Sequence, residues 1–319
     1  MAADRSRGRP VTTGVVVMAY GTPATPADVE AYYTHIRRGR PPSADQLADL
    51  IRRYEALGGT SPMAERTRAQ VRAIGDELER IAPGRFVTAL GQKHAAPFVE
   101  DAVTELADRG VASIVGLVLA PHYSGASVAQ YHERAASTAT THGITFVGID
   151  SWHMLPELIE FQANAVRDAL APMPERTKVV FTAHSLPERL LVGDPYPDQL
   201  RESAEATARA AGLATWTGWG LGWQSAGPTP EPWRGPDVVE VIRDLAGTGR
   251  ADGIVIAPQG FTSDHLEVLY DLDVEAAGAA EQVGLAFGRT RVVNDDPSVM
   301  TALAELVRDT ADRTGSRRP

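Results

Sequence analysis

The sequence predicts an α/β protein made of two Rossmann-like domains, each a parallel sheet flanked by helices, with a ligand cleft between them. Three observations lead there. Short β-branched runs alternate with longer amphipathic stretches, the pattern of parallel-sheet α/β units. Segments of the first half are echoed in the second. A length of 319 residues, at roughly 150 residues per domain, makes about two domains.

The expected strands are Val15–Tyr20, Phe86–Leu90, Ser113–Leu119, Thr145–Ile149, Lys178–Thr182, Trp216–Leu221, Gly253–Ala257 and Gly284–Phe287. Most are apolar throughout, as befits strands covered on both faces. Helical periodicity runs through Thr67–Ile81, where Val71, Ile74 and Leu78 share a stripe, and through Asp101–Asp108, Asp198–Ala210, Val238–Leu245 and Ser298–Asp312. VVVMAYGTP (Val15–Pro23) is echoed by VVFTAHSLP (Val179–Pro187), and VLAPHYSGASVAQY (Val118–Tyr131) by VIAPQGFTSDHLEVLY (Val255–Tyr270). The offsets are 164 and 137 residues, so the first half carries about 27 extra residues between the echoed segments. These lie in an Arg- and Tyr-rich insertion at about 24–60. The expected organisation is a disordered tail over 1–10, a first domain over 11–150 and a second over 151–319. The closing RTGSRRP reads as a tail like the first.

Composition removes several function classes. Apolar residues make up 43% of the chain, and 31 basic against 41 acidic residues give a net charge of −10. Such a chain forms a core, and its acidic balance argues against a nucleic-acid partner, which requires a basic face. It has no cysteine, which excludes thiolate zinc sites, cysteine-ligated clusters and cysteine nucleophiles. No run approaches the roughly 18 consecutive apolar residues of a membrane span. Neither lysine, Lys93 nor Lys178, completes a phosphate loop, and no Gly-x-Ser-x-Gly elbow or dinucleotide fingerprint occurs.

Ligands in open α/β sheets bind beyond the carboxyl ends of strands, where histidines and acids collect. His184 follows the Lys178–Thr182 strand and suits a base or metal ligand, because imidazole serves as either near neutral pH. His94 in GQKHAAPF also follows a strand. His35, His132 and His142 read as solvated. In SDHLEVLYDLDVE, read as helix, Asp264, Glu267, Asp271 and Glu275 fall on one stripe. Like charges at that spacing repel, and a compensating cation is the simple physical reason for such a row. Oxygen and nitrogen ligands suit Fe(II), Mn(II), Co(II), Zn(II) or Mg(II). The basic counterpart, HIRRGRPP followed by Arg52, Arg53 and Tyr54, offers guanidinium forks for carboxylates. With Tyr20, Tyr33 and Tyr131 nearby in the same half, these features suggest a flat polycarboxylate that meets a metal.

The ordered motifs VVVMAYGTP, YYTHIRRGRPP, RYEALGGTSPM, GQKHAAPF, LAPHYS, TAHSLPE, GDPYPDQL, GWQSAGPTPEPWRGPDV and GFTSDHLEVLYDLD resemble the ferrochelatase family, in particular its soluble coproporphyrin branch from Gram-positive bacteria. The resemblance implies a porphyrin cleft between the two domains and a lyase-class chelatase that inserts Fe(II) into coproporphyrin III for haem biosynthesis. It implies His184 and Glu267 as the catalytic and metal-site pair, with Asp271 and Glu275 continuing an acidic path. It implies Tyr20, Arg37, Arg53, Tyr54, Ser61 and Tyr131 as porphyrin-contacting positions, with His94 as a further member. Fe(II) is then a substrate and no cofactor is permanently bound. Many relatives hold a cysteine-bound [2Fe–2S] cluster, which a chain without cysteine cannot hold by thiolates. The expected protein is a cytoplasmic monomer without stable membrane association. A chelatase for another divalent metal or for protoporphyrin IX, and a non-catalytic tetrapyrrole carrier, stay open as alternatives.

Overall fold

The eight apolar runs form strands because each has helices to bury it from both sides. The computed structural model describes residues 12–215 and 218–315; the expected N-terminal tail, Trp216 and the end of the chain from 316 lie outside them. The first half runs β1 (Thr13–Ala19), α1 (Val29–Ile36), α2 (Ala44–Glu55), α3 (Met63–Ile81), β2 (Phe86–Gln92), α4 (Val99–Asp108), β3 (Ser113–Val118), α5 (Val128–Thr141) and β4 (Thr145–Ile149). The second runs α6 (Pro156–Leu170), β5 (Thr177–His184), α7 (Tyr196–Ala211), β6 (Trp219–Gln224), α8 (Val238–Thr248), β7 (Gly253–Ala257), α9 (Leu266–Tyr270), α10 (Ala277–Gln282), β8 (Ala286–Arg289) and α11 (Pro297–Gly315). A π-helical segment, Asp271–Ala276, joins α9 to α10.

The strands make two parallel four-stranded sheets, ordered β2-β1-β3-β4 and β6-β5-β7-β8. The orders are the same once the second is counted from β5, so the internal echo corresponds to a repeated topology. Side-chain alternation sorts the core. Val15 and Val17 of β1 pack with α3, α6 and α11, whereas Val16 and Met18 pack with α4 and α5. In β5, Val179 and Phe181 join α6 and α7, while Val180 joins α8, α9 and α10. The first sheet's core thus takes in residues beyond 150: Leu158 and Phe161 of α6, and Val299, Leu303 and Val307 of α11. The insertion supplies α1 and α2, and α2 reaches the α9 helix of the other half.

Only β4 and β7 keep both expected ends, and the other strands shift by one to three residues. β5 runs on to His184, and β6 covers 219–224 where the apolar pattern ends at Leu221. Hydropathy does not register Gln224, yet Gln224 is buried and paired: its amide oxygen accepts from the Thr182 hydroxyl (2.8 Å) and its nitrogen donates to the Glu267 carbonyl (2.8 Å). Among the described residues, no helix is long and apolar enough to cross a membrane.

The strand ends are tightly packed beside His184. A Cβ built on Gly260 would lie 2.6 Å from the Ala183 Cβ and 3.0 Å from its Cα. Gly260→Ala is therefore expected to cost about 1–3 kcal/mol through overpacking, lowering the thermal midpoint. Gly247→Ala, in α8 with open space around it, is expected to hold or raise the midpoint by its helix propensity. Thermal denaturation of both variants checks the pair.

Candidate active site

The two central strands each deliver one ring to the same region. Tyr20 directly follows β1 and His184 ends β5; the two occupy matching positions in the echoed segments. The Tyr20 turn is held from several sides. Its carbonyl accepts from the His94 N–H (2.9 Å), and the Tyr32 hydroxyl donates to the Gly21 carbonyl (2.9 Å). Gly21 has φ +91°, and a Cβ there would come within 3.0 Å of the Ala95 backbone nitrogen, so the turn requires glycine.

His184 donates from Nδ1 to the Ser185 carbonyl, which leaves Nε2 facing the Glu267 carboxylate at 3.7 Å. His265 repeats the arrangement. Its Nδ1 donates to the Ser263 carbonyl (3.0 Å), and its Nε2 lies 3.7 Å from the same Glu267 oxygen. One carboxylate oxygen thus meets two imidazoles whose orientations are set by backbone carbonyls, a typical way of fixing imidazoles for metal or proton chemistry. The site remains open: the side chains of His184 and Glu267 are 35% and 36% exposed, and Tyr20 is 39% exposed.

The acidic row contains three members rather than four. Asp264 precedes the α9 helix and turns away, held by the Asn294 side chain (2.8 Å) and facing Arg289 (3.6 Å). Asp271 and Glu275 fall in the π-helical segment and stay on one face, since both reach Arg53 of α2, at 3.3 and 3.6 Å. Arg53 also pairs with Asp49 (3.0 Å) and lies over the Tyr270 ring. The compensating cation for this part of the row is therefore an arginine of the insertion. Asp271 additionally accepts from the Ser225 hydroxyl.

These contacts divide the charges. Burial disfavours charged His184, but the Glu267 carboxylate, the Ser185 carbonyl and Asp271 outweigh it and raise the imidazole to about 9. Burial likewise disfavours ionised Glu267, yet His184 and then His265 hold its carboxyl well below the usual range. Without substrate at neutral pH, the pair is imidazolium and carboxylate. Asp271 goes the other way. Burial and the charge of Glu267 push it up to about 7, against the Ser225 hydroxyl and Arg53. Desolvation, then Glu267, raises the Tyr20 phenol above its ordinary value, so it stays protonated.

The other residues singled out in the sequence distribute around this centre. His94 stacks at 4.6 Å on Tyr20. Tyr54 is buried, with its hydroxyl 3.4 Å from that of Thr22. Tyr131 is buried under the ammonium of Lys93 (5.1 Å), whose own pKa falls to about 8 through burial, Arg134 and Arg38. Two are not brought into contact with the centre: Arg37 bonds the Arg40 carbonyl within its own turn and packs on Tyr33, and Ser61 is buried, accepting from the Met63 N–H. His132, read as solvated, is partly buried and faces Asp150 at 3.4 Å.

Sequence reasoning missed His265, Ser225 and Gln70. Two residues apart in a helix, His265 and Glu267 would diverge. They meet because His265 is the extended N-cap of α9. Gln70 of α3 donates to the carbonyls of Thr262 (3.0 Å) and Asn294 (2.8 Å), and Thr262 donates to the Leu119 carbonyl (2.8 Å), tying the loop that carries His265 to the first half. Among the described residues, no three His, Asp or Glu side chains form a group that could hold a metal ion.

Known proteins resemble this chain along almost its whole length. A family model described as Ferrochelatase matches residues 12–311. A protein named coproporphyrin III ferrochelatase from Geobacillus kaustophilus is 45% identical over 303 residues, covering 93% of this chain and 95% of the relative. The protein of the same name from Bacillus subtilis is 43% identical over 301 residues, covering 92% and 96%. Among solved structures, SirB from Bacillus subtilis with Fe3+ aligns at a TM-score of 0.58 and 13% identity, covering 96% of this chain and 98% of SirB. CbiX, the terminal enzyme of sirohaem biosynthesis in denitrifying bacteria, aligns at 0.52 and 16%, covering 93% and 98%. At these identities the structures show a shared fold.

The His184–Glu267 pair has a measurable signature. In the substrate-free protein, NMR titration is expected to find His184 changing charge near pH 9, and Glu267→Gln to move that titration down. The pair's contribution to stability is full below the ordinary histidine value of about 6.5 and is lost as pH rises through about 9. Glu267→Gln should therefore destabilise more at pH 6 than at pH 10. An unmoved His184 titration would show that the two groups are not coupled.

Proposed function

The chain belongs to the ferrochelatase family, and on that premise we propose that it inserts Fe(II) into coproporphyrin III, with loss of two pyrrole protons, to give iron-coproporphyrin for haem biosynthesis. The observation that carries this reading is the convergence of His184, His265 and Glu267 at the strand ends of one sheet, within the electrostatic reach of Tyr20 from the other. The similarity to coproporphyrin III ferrochelatases over more than 90% of the chain supports the choice of substrate.

Metal insertion faces two physical obstacles. Two N–H protons must leave, and the planar ring hides its nitrogen lone pairs. His184 starts as a cation, so it cannot accept a proton until it has released its own. The approach of a divalent ion beside the imidazole repels that proton, and Asp271, poised at about 7, is a neighbouring acceptor. Neutral His184 then touches the metal through Nε2 or takes a pyrrole proton there. Glu267 neutralises the arriving ion, and Glu275 with Asp271 extends the negative surface outward. Tyr20, Tyr54, Tyr131, Arg37 and Ser61 line or fix the macrocycle in this reading. His94 stands beside Tyr20, and Arg53 acts through the acidic row. Binding at the carboxylate periphery supplies free energy to bend the ring toward its reactive shape.

In class terms the activity is that of a lyase. The protein works as a cytoplasmic monomer whose iron is substrate rather than cofactor. With no cysteine in the chain, no thiolate-held cluster accompanies it.

Anaerobic absorbance spectroscopy with Fe(II) and coproporphyrin III tests the activity directly. The wild-type protein should convert the free-base spectrum to the metallated one. His184→Ala should slow that conversion by roughly 10²–10⁴ while porphyrin fluorescence titration shows little change in affinity. Normal turnover in His184→Ala would remove this imidazole from the mechanism.

A further inference from the structure

In the chelatase reading the His184–Glu267 site serves one face of the ring, yet two protons must depart. On the Tyr20 side stands a second imidazole pair. The Nδ1 atoms of His94 and His35 lie 3.0 Å apart, a hydrogen bond that requires one to carry the hydrogen and the other a lone pair. His94 packs on Tyr20 with ring centres 4.6 Å apart. His35, at the exposed end of α1, stacks on Phe98 at 5.3 Å. Neither Nε2 atom has a hydrogen-bond partner among the described residues.

We propose that His94 and His35 form a two-imidazole relay that carries a pyrrole proton from the Tyr20 face of the bound ring to solvent. The inference rests on the chelatase reading above. In the step, Nε2 of His94 takes the pyrrole proton. The His94 Nδ1 hydrogen passes to Nδ1 of His35, and His35 releases its Nε2 hydrogen to water. The electron pair of the broken N–H bond stays on the pyrrole nitrogen and becomes its bond to the metal. The rings reset by exchanging hydrogens with water.

The surroundings suit transit rather than storage. Burial, then Lys93, His35 and Arg134, lowers His94 to about 3, so it stands neutral and does not retain a proton. A pyrrole N–H becomes far more acidic once a divalent ion sits on the neighbouring nitrogens, so even a weak base can accept from it. Lys93 and Arg134 repel the transferred proton outward, and the Glu100 carboxylate, paired with Arg134 at 2.6 Å, interacts with His35 at the outer end. Tyr20 keeps its own proton and so does not compete as the acceptor.

The test is single-turnover insertion of Zn(II), an oxygen-stable probe, into coproporphyrin III, followed by stopped-flow absorbance. His35→Phe preserves the stack on Phe98 but cannot conduct a proton. It is expected to slow insertion roughly tenfold, to leave the porphyrin Kd unchanged, to increase the solvent deuterium isotope effect and to be rescued by millimolar imidazole. His94→Phe should likewise slow insertion and increase the isotope effect, and the double variant should be no slower than His94→Phe alone. A wild-type rate in His35→Phe overturns the relay. So does a slowed rate that accompanies weakened porphyrin binding and resists imidazole, because that pattern marks a packing role. If the wild-type protein binds coproporphyrin without metallating it, the chelatase reading fails first and takes the relay with it.

Discussion

A row of carboxylates placed against the core needs positive charge beside it, and this requirement organises the site. Asp271 has only 8% of its side chain exposed and lies within electrostatic reach of Glu267 and Glu275. Left unpaired, such a row would repel itself and lose hydration at a cost of several kcal/mol. The structure brings cations from two separate stretches, His184 from β5 and Arg53 from the insertion, and sets the His265 imidazole of the α9 cap beside Glu267. Neither cation is next to the row by helical spacing alone. The fold must close before the acids are tolerated, so the halves and the insertion are coupled by the site itself.

That arrangement also leaves a graded set of proton affinities. Glu267 stays ionised, Asp271 stands near neutrality and His184 is held as a cation. Groups with separated affinities in one place can pass protons in order, which a cluster of equivalent acids cannot do. The arrival of a dication shifts all of them in the same direction, toward proton release. Groups so graded suit the exchange of a metal ion for protons.

Rigidity around these groups comes from buried amide and hydroxyl side chains. Gln224 holds the Glu267 carbonyl, while Gln70 and Thr262 fasten the His265 loop to the first half. Each donates to carbonyl oxygens that would be costly to leave unpaired in the interior. These polar residues at strand ends and on helix faces do for the site what the apolar clusters do for the sheets. On the Tyr20 side Lys93 lies within electrostatic reach of Arg134 and Arg38, positive charge that attracts a carboxylate approaching from there.

The sequence by itself determined the two-sheet plan, because apolar runs such as Val15–Met18 and Ile254–Ala257 can only be buried between helices, and their repetition in order marks a repeated unit. It also determined the chemistry-bearing types at strand ends: Tyr20, His184 and the acids from Glu267 onward. Tertiary structure decided what those residues face. Helical periodicity placed Asp264 on the acidic row, but the helix starts later and Asn294 claims that side chain. Arg53 read as a ligand for carboxylates on the substrate, and it pairs with Asp271 of its own chain, 218 residues away. His265 escaped notice because an extended cap, rather than a helical turn, points it at Glu267. Periodicity records which side of an element a residue occupies; long-range pairing, which sets charge partners and proton affinities, exists only once distant segments have come together.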